Sequence, residues 1–214
     1  MRLALFDLDN TLVNRVAAFP HAITDLCNDW GYGPDIEAWL TTELADRAVP
    51  ADFGRLIAEF RLPDDEARLW RGYVDRIASS VTCDAAILSG LDQLRSEGWA
   101  VGIATNGAAD IQRAKLAATG LLDCVDGIAV SGDIEVRKPD RRLFELAAER
   151  CGTDLSPGGW MIGDNPATDI GGGRAAGLRT IWLHGRPWPD SLAPAERTVR
   201  AATDAITILL NESE

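Results

Sequence analysis

Apolar patterns of helical and strand period alternate along the chain from residue 88 onward, and this alternation limits the possible folds most strongly. The segment 88–98 has the spacing of an amphipathic helix that ends at glycine, and Trp99–Thr105 is a short apolar run typical of a buried strand. Such an order of elements predicts a parallel sheet with helices on both faces. The remaining predictions are helices over 110–119, 141–151, 169–176 and 204–210, and strands over 125–130, 159–162 and 179–183.

The first strand of the sheet is predicted at residues 2–6, RLALF, well before the alternating region. The segment between them has no strand pattern. Right-handed crossovers bring the carboxyl ends of parallel strands to one edge, so a segment that leaves after the first strand starts there. We therefore predict a core of residues 1–14 and 83–214 and a helical cap of residues 15–82 above that edge. The predicted cap helices lie around 22–30, 36–47, 52–61 and 64–79, separated by Pro34, Pro50 and Pro63.

The composition is that of a globular protein, with 214 residues, of which 46% are hydrophobic and 25% charged. No apolar run is long enough to span a membrane, and acidic residues interrupt the N-terminal run too early for a signal peptide. We therefore expect a soluble, cytoplasmic protein with no membrane partner. The net charge of −12 argues against a nucleic-acid surface, but local cations can still hold an anionic small molecule.

Polar residues stand at or just beyond the ends of several predicted strands, where a doubly wound sheet gathers its functional groups. Asp7 and Asp9 directly follow the first strand, although a folded chain gains little from two like charges there. One of only two lysines, Lys138, also follows a strand; the other is Lys115. The other residues at such ends are Thr105, Asn106, Asp164 and Asp169.

Several carboxylates in one pocket need a compensating charge, because their repulsion would otherwise raise their pKa values or unfold the site. A divalent cation supplies that charge, and all-oxygen ligands favour Mg²⁺ over zinc or copper. Together with Lys138, such a site would attract and polarise a phosphoryl group. The sequence therefore predicts a magnesium site for a small phosphorylated metabolite.

The motifs DLDNT, TNG, RKP and GDNPATD, in that order, resemble those of the haloacid dehalogenase-like hydrolase superfamily. Each motif alone is weak, but four in order at predicted strand ends form a specific pattern. The resemblance spans nearly the whole chain. It implies a doubly wound parallel α/β core of Rossmann type with a helical cap inserted after strand one, and the phosphatase branch of the family.

The resemblance also implies roles for the acid pair of the first motif. Asp7 would be the nucleophile that attacks phosphorus and forms an aspartyl-phosphate, and it would also bind the metal. Asp9 would protonate the leaving oxygen, later activate water, and bind Mg²⁺ through its backbone carbonyl. Residues two apart on a strand share a face, so the turn after the strand has to aim both carboxylates at the substrate.

The other three motifs would, by the same resemblance, bind phosphate and metal. Thr105 would hydrogen-bond the phosphoryl oxygens with help from the backbone of Asn106, and Lys138 would offset the charge of nucleophile and phosphate. Asp164 would bind the metal directly, and Asp169 would either bind it or support its ligands. Three features depart from the commonest family pattern: Asn10 and Glu135 both stand where glycine is frequent, and residues 171–173 are richer in glycine than usual.

The leading hypothesis is a Mg²⁺-dependent phosphatase for a small phosphomonoester, and three alternatives stay open. A phosphoglucomutase-like isomerase would keep every residue named above and differ in its cap. A haloacid dehalogenase would share Asp7 and Lys138 but has no need of an acid at Asp9. A non-catalytic phosphate-accepting protein would also combine Asp, Thr and Lys, although such domains are shorter and lack an insertion after strand one. The natural substrate and the oligomeric state do not follow from the sequence.

Overall fold

The computed structural model describes residues 2–212 as a parallel sheet flanked by helices. Its six strands lie in the order β3-β2-β1-β4-β5-β6, and every neighbouring pair is parallel. The predicted α/β class with a doubly wound parallel sheet is therefore confirmed. The strands are β1 (Arg2–Phe6), β2 (Trp99–Thr105), β3 (Gly127–Val130), β4 (Trp160–Gly163), β5 (Arg179–Leu183) and β6 (Arg197–Val199).

Within residues 2–212, the first five helices of the structure lie between β1 and β2, the next four lie between later strands, and the last follows β6. Among the described residues, no helix is both long and apolar enough to cross a bilayer. The helices are α1 (Arg15–Trp30), α2 (Pro34–Glu43), α3 (Pro50–Phe60), α4 (Glu66–Ser80), α5 (Ala85–Ser96), α6 (Ala109–Ala118), α7 (Ser131–Ile134), α8 (Arg141–Arg150), α9 (Gly172–Ala175) and α10 (Ala202–Asn211).

The sheet is buried on both faces because successive side chains of each strand enter different hydrophobic clusters. Along β1, Ala4 and Phe6 pack into one cluster, and Leu3 and Leu5 pack into the other. All residues of β2 are buried. Strands of this kind are continuous apolar runs rather than alternating ones, and for this reason they could be found in the sequence.

Helices α1–α4 share a hydrophobic cluster that includes Phe53, Trp70 and Tyr73, and Ile111 of α6 also packs into it. The prediction starts the first of these helices too late: α1 begins at Arg15, after the capping residue Asn14, and carries Pro20 inside it. The indole of Trp70 donates a hydrogen bond to Asp110 of α6, which fixes α4 against the helix after β2. The division into core and cap at residues 14 and 83 stays a prediction.

Other features also differ from the sequence prediction: α7 was not predicted, and the helix predicted over 36–47 is α2, which ends at Glu43. The strand β6 was not predicted, since it has three residues of which two are exposed, too few to show a period. The predicted helix 169–176 is instead a π-helical segment, Pro166–Gly171, followed by the short α9. It begins early because Asn165 Oδ1 accepts hydrogen bonds from the amides of Ala167 and Thr168, each at 3.1 Å.

Candidate active site

The end of β1 places the first acid of the pair inside the protein. The amide of Asp7 donates to the carbonyl of Ile162 at 2.8 Å, so Asp7 continues the pairing of β1 with β4. The chain then turns at once, with Asn10 at φ 60° and the amide of Val13 bonded back to Leu8 at 3.0 Å. This turn sends the carboxylates of Asp7 and Asp9 to different partners.

Three of the four predicted acids form one cluster at this edge of the sheet. Asp7, Asp164 and Asp169 are buried, and each offers a carboxylate oxygen that lies within 4.8 Å of the others. The carboxylate of Asp9 is not in the cluster. Three hard oxygen donors this close suit a cation such as Mg²⁺, which takes carboxylate ligands and keeps waters at its other positions.

Lys138 supplies the positive charge that the structure itself brings to this cluster. Its Nζ lies 2.6 Å from Oδ1 of Asp7 and 2.8 Å from Oδ1 of Asp169, and the residue is 3% exposed. Burial alone would lower the pKa of Lys138, but Asp169 and Asp7 outweigh it and raise that pKa. One ammonium group therefore serves two of the three carboxylates and Arg186 contacts the third, so three ionised carboxylates would face only two cations.

The shortage of positive charge changes the protonation of Asp7. Burial, followed by the charges of Asp169 and Asp164, raises the pKa of Asp7 to about 8 even though Lys138 opposes the shift. Burial also raises the pKa of Asp164, against the contact with Arg186 that lowers it. Without a further cation, Asp7 therefore holds a proton at neutral pH. A divalent ion would displace it.

Asp164 and Asp169 are fixed by the residues around the end of β4. The Nε atom of Arg186 donates to Oδ2 of Asp164 at 2.7 Å. The amide of Asn165 donates to Oδ2 of Asp169 at 2.9 Å, so this carboxylate lies against the backbone. A Cβ atom on Gly163 would overlap the carboxylate of Asp169, and the glycine is therefore needed for this close approach.

The TNG motif connects the phosphate-binding candidates to the lysine loop. The side chain of Asn106 donates to the carbonyl of Lys138 at 3.1 Å and accepts from its amide at 2.8 Å. The side chain of Asn106 is thus used to hold the loop, and the phosphate-binding role expected of its backbone stays a prediction. The hydroxyl of Thr105 accepts a hydrogen bond from Nε2 of Gln112 at 2.6 Å.

Asp9 lies apart from the acid cluster, beside residues that the sequence analysis did not assign to the site. Both of its carboxylate oxygens accept hydrogen bonds from Nζ of Lys115 at 2.8 Å, and Oδ2 also accepts from Gln112 at 3.2 Å. Burial lowers the pKa of Lys115, although the contact with Asp9 opposes this. The rarity of lysine in the chain was the only signal that could have pointed to Lys115.

A cavity of about 340 Å³ opens between the acid cluster and the loop after α2. It includes three charged residues that the sequence analysis did not assign to the site. Arg186 follows β5 and could have been found by the strand-end rule that selected the others, and Arg137 stands beside Lys138 in the RKP motif, whereas Asp46 had no such signal. The lining residues are Asp7, Asp9, Asp46, Asn106, Arg137, Lys138, Asp164, Asn165, Thr168, Asp169 and Arg186.

A comparison of the sequence with protein-family profiles identifies the family of this chain. The profile described as haloacid dehalogenase-like hydrolase matches residues 4–183, which is most of the chain. The chain belongs to the haloacid dehalogenase-like hydrolase family. The family resemblance expected from the four motifs is therefore confirmed.

This haloacid dehalogenase-like hydrolase has relatives among named phosphatases and nucleotidases. It is 34% identical over 136 residues to pyrimidine 5'-nucleotidase YjjG of Escherichia coli, in a match that covers 63% of this chain and 60% of that one. It is 30% identical over 199 residues to pyrimidine 5'-nucleotidase PynA of Streptococcus pneumoniae, covering 86% and 84% of the two chains. Haloacid dehalogenases are also among its relatives.

A solved structure of a family member has the same fold over nearly the whole length. The magnesium-bound HAD-hydrolase YfnB of Bacillus subtilis superposes with a TM-score of 0.72 and 25% identity, covering 97% of this chain and 98% of that one. The sheet, its flanking helices and the helices between β1 and β2 are all part of this match.

Proposed function

We propose that this hydrolase is a Mg²⁺-dependent phosphatase that cleaves a small phosphomonoester through an aspartyl-phosphate on Asp7. One observation carries the proposal: Asp7 lies in hydrogen-bond contact with Lys138 and within 4.8 Å of the oxygens of Asp164 and Asp169. This arrangement combines a nucleophile, a fixed cation and a set of hard oxygen ligands at one sheet edge. Phosphoryl transfer needs these three parts and little else from the protein.

Asp7 and Asp9 would share the chemical steps. A carboxylate oxygen of Asp7 forms a bond to phosphorus while the bond from phosphorus to the leaving oxygen breaks, and Asp9 gives that oxygen its proton. Water then attacks the phosphorus of the aspartyl-phosphate, and the ionised Asp9 takes the proton of the water. Inorganic phosphate leaves and Asp7 is restored. Oδ1 of Asp7 is held by Lys138, so Oδ2 is the oxygen that we expect to attack.

Thr105, Asn106 and Lys138 would bind the transferred phosphoryl group. Lys138 bridges nucleophile and acid cluster, and its charge would offset the charge that the phosphoryl group brings. The hydroxyl of Thr105 is buried at the end of β2 and can donate to a phosphoryl oxygen, because its contact with Gln112 uses it as an acceptor. These roles rest on position and donor chemistry.

The three clustered acids fit a magnesium ion. Asp7, Asp164 and Asp169 would hold it, with the backbone carbonyl of Asp9 as a further ligand, and a bound Mg²⁺ would neutralise carboxylate and phosphoryl charge together. Arg186 occupies Oδ2 of Asp164, which leaves Oδ1 as its ligand atom. The magnesium in the related YfnB structure supports the choice of metal.

Residues 15–82 would serve as a cap that limits access of water. Asp46, from the loop after α2, lines the cavity together with Asp7 and Lys138. Arg15, the first residue of α1, holds the start of this loop, because its guanidinium donates to the carbonyls of Leu44 and Ala45. Water has to be kept out during attack by Asp7 and admitted afterwards, so movement of this loop would gate the reaction.

A screen of phosphate release tests the proposed function. The purified protein is incubated with Mg²⁺ and with sugar, nucleotide, amino-acid and glycolate phosphates, and free phosphate is measured. Release from at least one of them is the expected result. Chloride release from a haloacid without Mg²⁺ would indicate a dehalogenase, and conversion of a sugar phosphate in the presence of its bisphosphate, without net phosphate release, would indicate a mutase. A stable phosphoprotein without turnover would indicate a phosphate-accepting protein.

A further inference from the structure

We propose that Lys115 and Gln112 of α6 are positioning residues, which hold the carboxylate of Asp9 at the place where it exchanges protons with the substrate. The inference rests on the proposed function, because it assigns a task to two residues in a phosphatase site. It adds a layer to that site that neither the motifs nor the strand ends contain, since both residues belong to a helix face.

The ammonium group of Lys115 has an acceptor for each of its hydrogen-bond donors. Its Nζ lies 2.8 Å from Oδ1 of Asp9, 2.8 Å from Oδ2 of Asp9 and 2.8 Å from Oε1 of Gln112. The residue is 1% exposed. An ammonium group has three donors, so every donor of Lys115 is directed at this small group of oxygens. A contact to both carboxylate oxygens also fixes the rotation of the Asp9 side chain, which a single hydrogen bond would leave free.

Gln112 extends the same arrangement to the phosphate-binding candidate. Its Nε2 lies 2.6 Å from the hydroxyl of Thr105 and 3.2 Å from Oδ2 of Asp9, and the residue is also 1% exposed. A Cβ on Gly107 would lie 2.7 Å from Cγ of Gln112, so the glycine of the TNG motif makes room for this side chain. Gln112 therefore sets the distance between Thr105 and Asp9.

The position of this pair on α6 argues against a purely structural role. Lys115 follows Gln112 by one helical turn, so both project from the same face toward Asp9 in the turn after β1. The neighbouring Ile111 and Leu116 of the helix lie in hydrophobic clusters. Apolar side chains of similar size at 9, 112 and 115 would pack there too, because replacing both partners of a buried ion pair by apolar groups is often neutral or stabilising. Stability alone therefore does not explain why a lysine is buried against Asp9.

The leaving group of the substrate gives a direct readout of this positioning. Asp9 protonates the leaving oxygen, and this help matters greatly for an alkyl phosphate but little for a dinitrophenyl phosphate, whose leaving group departs as an anion. Loss of a general acid typically costs 10²–10⁴-fold. For Lys115→Met we expect kcat/KM, which reports on the step that expels the leaving group, to fall about 10²-fold or more on the alkyl ester and less than about 10-fold on the dinitrophenyl ester.

Three further variants make the experiment decisive. Asp9→Asn should show the same dependence on the leaving group, and Lys115→Met should cost nothing more once Asp9→Asn is present, because the lysine acts only through Asp9. Gln112→Met keeps the ion pair and should show a smaller loss with the same preference. Arg113→Met is the control from the same helix, since Arg113 pairs with Asp133 at the surface, and it should match the wild type.

The outcomes separate the inference from the proposed function. If the wild type hydrolyses neither ester, the proposed function fails and the inference fails with it. If the wild type hydrolyses both but Lys115→Met loses equally on both, or loses activity further in the Asp9→Asn background, the inference alone is wrong. Should Lys115→Met not fold, Gln112→Met decides in the same way: an equal loss on the two esters would overturn the inference.

Discussion

The ammonium group of Lys138 lies 2.6 Å from the carboxylate of Asp7, although the two residues are 131 positions apart in the chain. The contact is possible because β1 is central in the sheet and because Asn106 holds the backbone of Lys138 from both sides. A cation placed at this point stabilises the ionised nucleophile and remains available to an incoming phosphoryl group.

Replacement of Asp7 by asparagine should abolish turnover. Asn has nearly the same shape and still accepts a hydrogen bond from Lys138, but it cannot form an aspartyl-phosphate. We expect kcat on an aryl phosphate to fall by about 10³-fold or more, and no phosphoprotein to be trapped by rapid acid quench. Circular dichroism of the same preparation checks that the fold is intact. A variant with wild-type rates would exclude Asp7 as the nucleophile.

Chelation of metal should remove activity and stability together. EDTA should abolish turnover, and added Mg²⁺ should restore it. Mg²⁺ binds the native state, so at 100 times its Kd it should raise the free energy of unfolding by about 2.7 kcal/mol. Asp164→Asn removes one clustered ligand without touching Asp7 or Lys138, and its unfolding midpoint should respond far less to Mg²⁺. An equal response in wild type and variant would place the ion elsewhere.

The metal-free protein should lose stability as the pH rises from about 4 to about 8. The pKa of Asp7 is raised to about 8 in the folded protein, whereas an unfolded aspartate titrates near 3.9. Between these values the native state binds more protons than the unfolded state. The contribution of Asp7 to the free energy of unfolding is therefore complete below the lower value, falls between the two, and is lost once the pH has passed the higher one. The slope is at most about 1.4 kcal/mol per pH unit for one proton.

Asp7→Asn isolates this effect, since other titrating groups contribute equally to both proteins. Lys138 stays charged throughout the window because its own pKa is raised. In EDTA, urea unfolding is measured at several pH values. The free energy of unfolding of the variant should rise relative to that of the wild type up to about pH 8, and the difference should stay constant above it. A constant difference across this range would mean that Asp7 is ionised in the folded protein already at low pH.

The fold and the gathering of the acids could be predicted because both follow from the order of helices and strands along the chain. Buried parallel strands are visible as apolar runs, and their carboxyl ends meet at one edge, so Asp7, Thr105 and Asp164 had to approach each other. The approach of Lys115 to Asp9 could not be foreseen in this way. It depends on the rotation of α6 relative to the turn after β1, and that is set by side-chain packing rather than by the order of elements.

Substitution of Gly163 by alanine should damage the site more than the fold elsewhere. A methyl group at this position overlaps the carboxylate of Asp169, which has to move away from the amide of Asn165 and from Lys138. We expect a loss of about 1–3 kcal/mol in stability, as for other overpacked positions, together with loss of Mg²⁺ binding. Gly185→Ala is a suitable control, since a Cβ there meets no atom within 4 Å. Normal Mg²⁺ binding by Gly163→Ala would contradict this account.

Replacement of Glu135 by glycine should stabilise the protein. Glu135 ends α7 at φ 53°, in the left-handed region that costs a non-glycine residue roughly 1–2 kcal/mol. Part of this gain is offset by the greater freedom of glycine in the unfolded chain, so we expect a net gain of about 0.5–1 kcal/mol in urea unfolding. Glu135→Ala removes the same charge but keeps the strain, and it should give no such gain.

If alanine stabilises as much as glycine, the cause is the excess negative charge of the chain and not the backbone conformation. The glycine variant should keep full activity, because Asn106 and not Glu135 holds the loop of Lys138 in place.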